Sequence, residues 1–375
     1  MPFMKKLKKI LKNILFVTVP MLLIFFILLE IISRFFFPGC KLPNNIYAEE
    51  TINNVKYDIV KFNRDYGTTG LWTAGKFSQL RGRWHINNDG WNSPVDYSSV
   101  KKQGVTRIAV IGDSYIEAFT VDIEKSYPNL LHDSLGSKYE VYSFGVSGSA
   151  LSQYLNVSRY VEKKYSPDIY IFNLIHNDFH ESISGQSNYT MYLTFKIDND
   201  SIFTEVHPVK PKLMHNRVPA WNLVRRLSLF RYFYYNLRIV EKFRSRKGGA
   251  KEVESGVIVN DVLDKKDSVR AITGYLLKKI KEELGNKEII FIMDAPRFNI
   301  YKNDLAHSKL IWLNSMVGEY CKELNLPFID LTSYMAEDYK KNGKRFETDY
   351  DGHWGEYGHQ FIANVLYNYF KNKNH

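Results

Sequence analysis

Residues 14–32 form an apolar run of 19 residues, interrupted only by Thr18, Pro20 and Glu30. A helix needs about 20 apolar residues to cross a ~30 Å hydrocarbon core. A helix that is apolar on every side has no face to offer water. The run therefore predicts one transmembrane helix, and only the remainder of the chain is left to build a water-exposed fold. Five lysines (Lys5, Lys6, Lys8, Lys9 and Lys12) precede the run, and Arg34 alone closely follows it. By the positive-inside rule the N-terminus is cytoplasmic and everything after Arg34 is extracytoplasmic, periplasmic or at the cell surface. Pro20 lies near the start of the run, where a helix tolerates it or kinks. Glu30 lies near the far end, within reach of the interface. A cleaved signal peptide is the main competing reading. It needs a small-x-small site, and Arg34, Phe35, Phe36 and Phe37 are bulky. An uncleaved signal anchor is expected.

The net charge of +11 invites a nucleic-acid reading, but the first 40 residues carry +5 of it. The excess beside the membrane segment removes most of that argument, and no nucleic-acid partner is expected. Hydrophobic residues at 45% and charged residues at 24% of a 375-residue chain support a sizeable core rather than disorder. Cys40 and Cys321 make no metal-type spacing; one disulfide and two free thiols both remain open. The stretch Phe37, Pro38, Gly39, Cys40 fits a lipoprotein cleavage box poorly.

Residues 41–104 have no long helical period. Glycines and the turn signal Asn88, Asp89, Gly90 punctuate short aromatic stretches, which predicts a small β-rich lead-in. From residue 105 the pattern changes. Short apolar runs at 107–111, 139–144, 168–174, 288–293 and 327–331 read as buried strands. Helical spacing at 126–135, 151–165, 269–284, 309–324 and 358–370 alternates with them. Alternation of this kind predicts a parallel sheet with helices on both faces, an α/β fold. The rhythm breaks over about 182–267, which reads as an insertion. Within it, 223–246 interleaves Arg225, Arg226 and Arg231 with Phe230, Tyr232 and Phe233. An amphipathic helix packing its aromatics, a lid, and a site for anionic lipid or acidic glycan are its readings. Residues 247–250 read as a flexible link.

In open α/β sheets, ligands bind beyond the carboxyl ends of the strands. Four segments fall there. Gly112, Asp113 and Ser114 follow the first strand and open a helix, where an unpaired N–H can face a developing oxyanion. Gly145 and Gly148 follow the second strand, and glycines let backbone approach a ligand. His176, Asn177 and Asp178 follow the third, and an Asn amide can donate to an oxyanion. Asp349, Asp351 and His353 precede the last helix. A carboxylate near a histidine can fix its tautomer and make it a base toward a serine. Each segment alone reads as an ordinary turn or helix cap. Their order and common position at strand ends favour a site. A metal reading of Asp351, His353 and His359 is weaker, because imidazoles six apart match neither a helical pair nor a finger.

The arrangement resembles the SGNH hydrolase (GDSL-like esterase/lipase) superfamily over about residues 105–370. The resemblance implies a flavodoxin-like three-layer α/β/α domain. It implies Ser114 as nucleophile and His353 as general base. Gly148, Asn177 and the Ser114 N–H become the oxyanion hole, with no cofactor or metal. Many members place the acid three residues before the histidine, where this chain has Tyr350. The Asp-x-His pattern of polysaccharide O-acetylation proteins in the superfamily points to Asp351, with Asp349 as fallback. His176 stands where members often have Gly, a change expected to narrow the pocket. The function implied is hydrolysis or transfer of acyl esters, on O-acyl groups of cell-envelope glycans first and on lipid substrates second. The competing reading is a non-catalytic envelope protein that keeps the scaffold for glycan binding or assembly.

Overall fold

The computed structural model describes residues 2–187, 190–198, 202–211, 223–239, 253–254 and 257–373, but not the side chains of Pro2, Phe3, Lys5, Tyr66, Val253, Glu254 and Asp351. The chain divides into two compact units. One holds residues 1–42, 71–81 and 215–248; the other holds 43–70, 82–214 and 249–375. Residues 240–250, with Lys242, Arg244, Arg246 and the 247–250 link, lie outside the described residues.

In the first unit, residues 6–36 make a helix long and apolar enough to cross a bilayer, and its most apolar stretch is uncovered by the rest of the chain. Pro20 does not break it. Proline has no N–H and its ring crowds the carbonyl four residues back. The helix widens just ahead of it, in a π-helical turn over Ile14–Thr18 where the Val19 N–H reaches Ile14 O.

The second unit carries a five-stranded parallel sheet. Its strands, in chain order, are β1 Thr106–Gly112, β2 Tyr139–Gly145, β3 Ile169–Leu174, β4 Glu288–Met293 and β5 Phe328–Asp330. In space the order is β2-β1-β3-β4-β5, the flavodoxin-like order, in which the chain reverses direction across the sheet between β1 and β3. Alternate residues of each strand enter opposite cores. Ala109, Ile111, Phe172 and Phe291 join one, with helices α2 Leu151–Tyr165, α3 Lys266–Leu284 and α4 Ile311–Glu323. Ile108, Val110, Ile171 and Ile292 join the other, with α1 Tyr127–Leu135 and α5 Glu356–Lys373. The fold is therefore three-layered α/β/α.

The last strand is shorter than its sequence suggests. Asp330 accepts the Thr332 N–H at 2.9 Å and caps a helix over Leu331–Asn342 that periodicity did not reveal. Of its twelve residues only Leu331 and Met335 are fully buried, too sparse a stripe to show. Cys40 and Cys321 are free and buried, and burial pushes each thiol up to about 12.

Ahead of β1, Asn44–Ile52 and Val55–Asn63 pair as an antiparallel hairpin, and Tyr57 meets Tyr160 of α2 edge to face. The Asn88–Gly90 turn then supplies a buried carboxylate. Asp89 accepts from Trp91 Nε1 at 3.2 Å and Tyr160 OH at 2.9 Å, and also from Tyr165 OH, Lys61 and Lys164. Burial pushes the Asp89 carboxyl up, but Lys61 and Lys164 more than offset this and hold it below its ordinary value. Removing Asp89 leaves Lys61 and Lys164 to Glu50 alone and takes the acceptor from Tyr165 OH and Trp91 Nε1. Asp89→Ala is expected to lower unfolding free energy by about 1–3 kcal/mol, measured by denaturation of the detergent-solubilised chain. Because the folded pKa is depressed, that contribution is present at neutral pH and is lost as pH falls through the folded value.

Candidate active site

The three sheet strands that meet at the topological switch each deliver one of the predicted segments to the same edge. β1 runs directly into Asp113, which caps the short helix Ser114–Glu117 by accepting the Tyr115 N–H at 2.9 Å. This tight turn is pressed against the end of β2. A Cβ on Gly145, register partner of Gly112, would stand 2.3 Å from the Glu117 nitrogen, so only glycine fits. After β2, Gly148 adopts φ +78°, a conformation that favours glycine. After β3, buried Asp178 ties its own loop together. Its Oδ2 accepts the Ile175 N–H at 2.7 Å and Tyr154 OH at 2.9 Å. That loop presents Asn177, whose amide donates to Glu181 at 3.2 Å.

His353 arrives from the far end of the chain. It sits on the strand Asp351–Trp354, which pairs with Glu347–Thr348. His353 Nε2 lies 2.7 Å from Ser114 Oγ, across 239 positions of sequence. The serine hydroxyl has one proton and a second acceptor, Asp113 Oδ2, at 3.2 Å. Asp349 is exposed in the turn of the hairpin. Asp351 is two residues before His353 on the strand, and its side chain lies outside the described residues.

Ser114, Gly148, Asn177 and His353 all line one cleft of about 420 Å³, with Asp113, Ile175, Phe298 and Glu347 also in its wall. That volume suits a small acyl group and part of its carrier. The structure thus brings together four of the five predicted residues. It does not bring His176 to the cleft. That ring is fully buried and pairs with Asn314 Oδ1 at 3.1 Å, so the expected narrowing of the pocket does not occur through this residue. His359 is also no ligand. It accepts the Tyr127 N–H at 3.2 Å, satisfying the first turn of α1, and burial pushes its pKa down to about 3. Among the described residues no group of His, Cys, Asp or Glu could hold a metal.

Burial raises several carboxyls close in sequence to the cleft residues. Burial pushes Glu117 and Asp178 well above the ordinary range, and Asp113 above it to a smaller degree. Glu181, bonded to Asn177, is pushed up to about 7 by burial. Asp113, Glu117 and Asp178 are buried and each is held by backbone or side-chain donors, while Glu181 is half-buried.

Sequence reasoning missed the residues that hold the histidine strand. Arg297, nearly buried, donates to Gly352 O at 2.7 Å, Tyr115 OH at 2.7 Å, Glu347 at 3.0 Å and Asp294 at 3.1 Å. Tyr115 OH also donates to Gly352 O at 3.0 Å, and its ring lies 4.7 Å from the His353 ring. Trp354 Nε1 donates to Asp294 Oδ1 at 3.2 Å. The residues on both sides of His353 are thereby fixed to the ends of β1 and β4.

Solved structures similar to this chain include a lipolytic protein of the G-D-S-L family from Veillonella parvula DSM 2008 (12% identity, 71% of this chain and 99% of that one, TM-score 0.37). They also include a lipase/acylhydrolase from Enterococcus faecalis (14%, 72% and 97%, TM-score 0.38). A third is a carbohydrate esterase family 2 enzyme with a carbohydrate-binding domain from Corynascus thermopiles (13%, 88% and 88%, TM-score 0.40). No curated protein matches the sequence. The model of the GDSL-like Lipase/Acylhydrolase family matches residues 110–361, well over half of the chain, from within β1 into α5. The chain belongs to the GDSL-like lipase/acylhydrolase family of ester hydrolases.

Proposed function

We propose that the chain is a membrane-anchored serine acyl-ester hydrolase, or acyltransferase, acting on O-acyl groups of cell-envelope glycans. The observation that carries this reading is the 2.7 Å approach of His353 Nε2 to Ser114 Oγ, in a cleft also lined by Gly148 and Asn177. A hydroxyl is a weak nucleophile at neutral pH, and an adjacent imidazole activates it by taking the proton as attack proceeds. Ser114 Oγ attacks the acyl carbonyl while His353 takes the hydroxyl proton. The tetrahedral oxyanion is met by the N–H groups of Ser114 and Gly148 and by the Asn177 amide. Asn177 has two amide protons and gives one to Glu181, which leaves the other for the oxyanion. Collapse expels the alcohol, protonated by His353. Water, or a sugar hydroxyl in the transfer case, then attacks the acyl-serine.

The glycan assignment rests on placement. Five lysines before the apolar helix support, by the positive-inside rule, a domain outside the cytoplasm, where acylated envelope glycans are within its reach. The test is incubation of the detergent-solubilised full chain with p-nitrophenyl acetate and then with an alkyl fluorophosphonate, followed by peptide mass spectrometry. An adduct on Ser114 with parallel loss of ester cleavage is expected. Unmodified Ser114 in a fully inhibited sample would overturn the assignment. Acetate release from O-acetylated envelope polysaccharide, compared with acetyl transfer onto the deacetylated form, separates hydrolase from transferase.

Arg297 acts on this chemistry through Gly352. Methionine at that position removes one of the two hydrogen bonds on the Gly352 carbonyl, leaves that of Tyr115 OH, and loosens the His353 strand. A misplacement of about 1 Å costs roughly 10² in rate. Arg297→Met is expected to lower kcat by about that factor with KM little changed, counted per fluorophosphonate-reactive site so that unfolded chain is excluded. Lysine cannot reproduce four directed donors, so Arg297→Lys recovers little. A rise in KM at constant kcat would instead make Arg297 a substrate contact.

A further inference from the structure

The apolar helix ends in a docked collar of its own unit. Glu30, near the end of the helix, spends its carboxylate on the start of the short helix Ser228–Arg231. Its oxygens accept the Ser228 and Leu229 N–H groups at 2.9 Å each, and Arg34 Nε at 2.8 Å. A carboxylate at a helix N-terminus satisfies donors that have no partner within the helix. The contact continues along the chain. Gly39 N–H donates to Ser228 Oγ, and Cys40 N–H to Asn236 Oδ1, both at 3.0 Å. A Cβ on Gly39 would stand 2.2 Å from Ser228 O, so the two backbones touch. Phe37 packs on Tyr232 with ring centroids 5.5 Å apart.

This collar leaves apolar surface uncovered where the helix leaves its apolar stretch. Phe35 is 77% exposed, Phe77 67%, Leu223 66% and Phe233 43%, and Leu227 is exposed beside them. Cationic side chains are mixed in: Arg34, Arg226 and Arg238 are exposed on the same unit. Arg34 is also paired with Glu30, and Arg231 donates its guanidinium to the carbonyls of Gly39, Arg225 and Arg226. A surface of aromatic and leucine side chains edged by arginines is poorly suited to water and well suited to the headgroup layer, where apolar side chains enter the acyl boundary and arginines meet phosphate.

We infer that the segment 223–238 is a second membrane contact, a collar held by Glu30 that lies in the headgroup layer and engages anionic phospholipid. The inference rests on the membrane-anchor reading of the N-terminal helix. The occupant follows from continuity: the collar is joined by hydrogen bonds to the end of the helix that enters the bilayer, so the bilayer surface is what it meets first. The arginines select anionic lipid, each cation near such a surface adding a favourable increment that salt screens.

The test uses the full chain in proteoliposomes of phosphatidylcholine, with and without phosphatidylglycerol. Single nitroxide labels are placed at Leu23→Cys in the helix, Leu227→Cys and Phe233→Cys in the collar, and Val100→Cys as an aqueous control that is 77% exposed. The native thiols are buried and pushed up to about 12, so they stay unlabelled at neutral pH. Collision rates with oxygen and with a water-soluble nickel chelate report depth. The collar labels are expected to show an oxygen-to-nickel ratio several-fold above Val100→Cys and below Leu23→Cys, rising with phosphatidylglycerol. Arg226→Glu with Arg238→Glu abolishes that rise without moving Leu23→Cys. Collar labels that match Val100→Cys while Leu23→Cys stays deep would overturn the collar and leave the anchor standing. An aqueous Leu23→Cys would overturn both. Labels shielded only in native membranes, and not in proteoliposomes, would assign the surface to a protein partner and overturn the lipid assignment.

Discussion

Ser114→Ala is expected to lower turnover of p-nitrophenyl acetate by roughly 10⁴–10⁶, and His353→Ala by a similar factor. The two residues form one device. The hydroxyl is a nucleophile only while the imidazole can take its proton, and the imidazole Nε2 is hydrogen-bonded to that hydroxyl. Their effects are therefore not additive, and the double variant should be no slower than either single one. Residual activity above the uncatalysed rate would come from Gly148 and Asn177, which still meet the oxyanion when water attacks directly. Both substitutions remove atoms from a solvent-reached cleft, so circular dichroism of the variants should match the parent. Additive losses, or a Ser114→Ala variant with parental turnover, would place the nucleophile elsewhere.

The parts of this arrangement that were legible in the sequence share a physical cause. The inner strands of the sheet are buried on both faces, so residues 108–111 and 289–293 read as unbroken apolar runs. Ser114, Gly148 and Asn177 were legible because each follows its strand directly, and strand ends of an open sheet converge. His353 was legible only through its place before the last helix. What stayed hidden is carried by long-range contacts. Arg297 reaches Gly352 across 55 positions and Tyr115 reaches it across 237, and nothing in their neighbours announces it. One signal was available: Asp294 directly follows the carboxyl end of β4, the edge where functional loops gather. His176 misled because a bulky ring where family members often have Gly implies a narrower pocket only if that ring faces the cleft. In the turn after β3, successive side chains diverge, and the imidazole goes to Asn314 in the core. The capped helix over Leu331–Asn342 was missed because its buried stripe is only two residues wide.

The second large effect concerns the acid that orients His353. An imidazole acting as base through Nε2 must carry its proton on Nδ1, and a carboxylate beside Nδ1 enforces that tautomer and stabilises the imidazolium that forms. Two aspartates compete for the role by position. Asp349 is exposed in the two-residue turn between Glu347–Thr348 and Asp351–Trp354, while Asp351 stands two residues before His353 on the strand itself. A turn residue in water is a poor orienter, because its carboxylate is solvated and free to rotate. Asp351→Asn is therefore expected to lower kcat by about 10⁴ with KM little changed, since an amide can donate to Nδ1 and lock the wrong tautomer. Asp349→Asn should leave kcat unchanged. The arginine-held Gly352 between Asp351 and His353 makes this a clean comparison, because neither substitution touches the hydrogen bonds that fix the strand. The reverse pattern would move the acid to Asp349 and require the turn to fold inward during catalysis. Parental kcat in both variants would mean that Ser114 and His353 work as a dyad, with Asp113 Oδ2, 3.2 Å from the serine hydroxyl, as the only carboxylate in direct contact among the described residues.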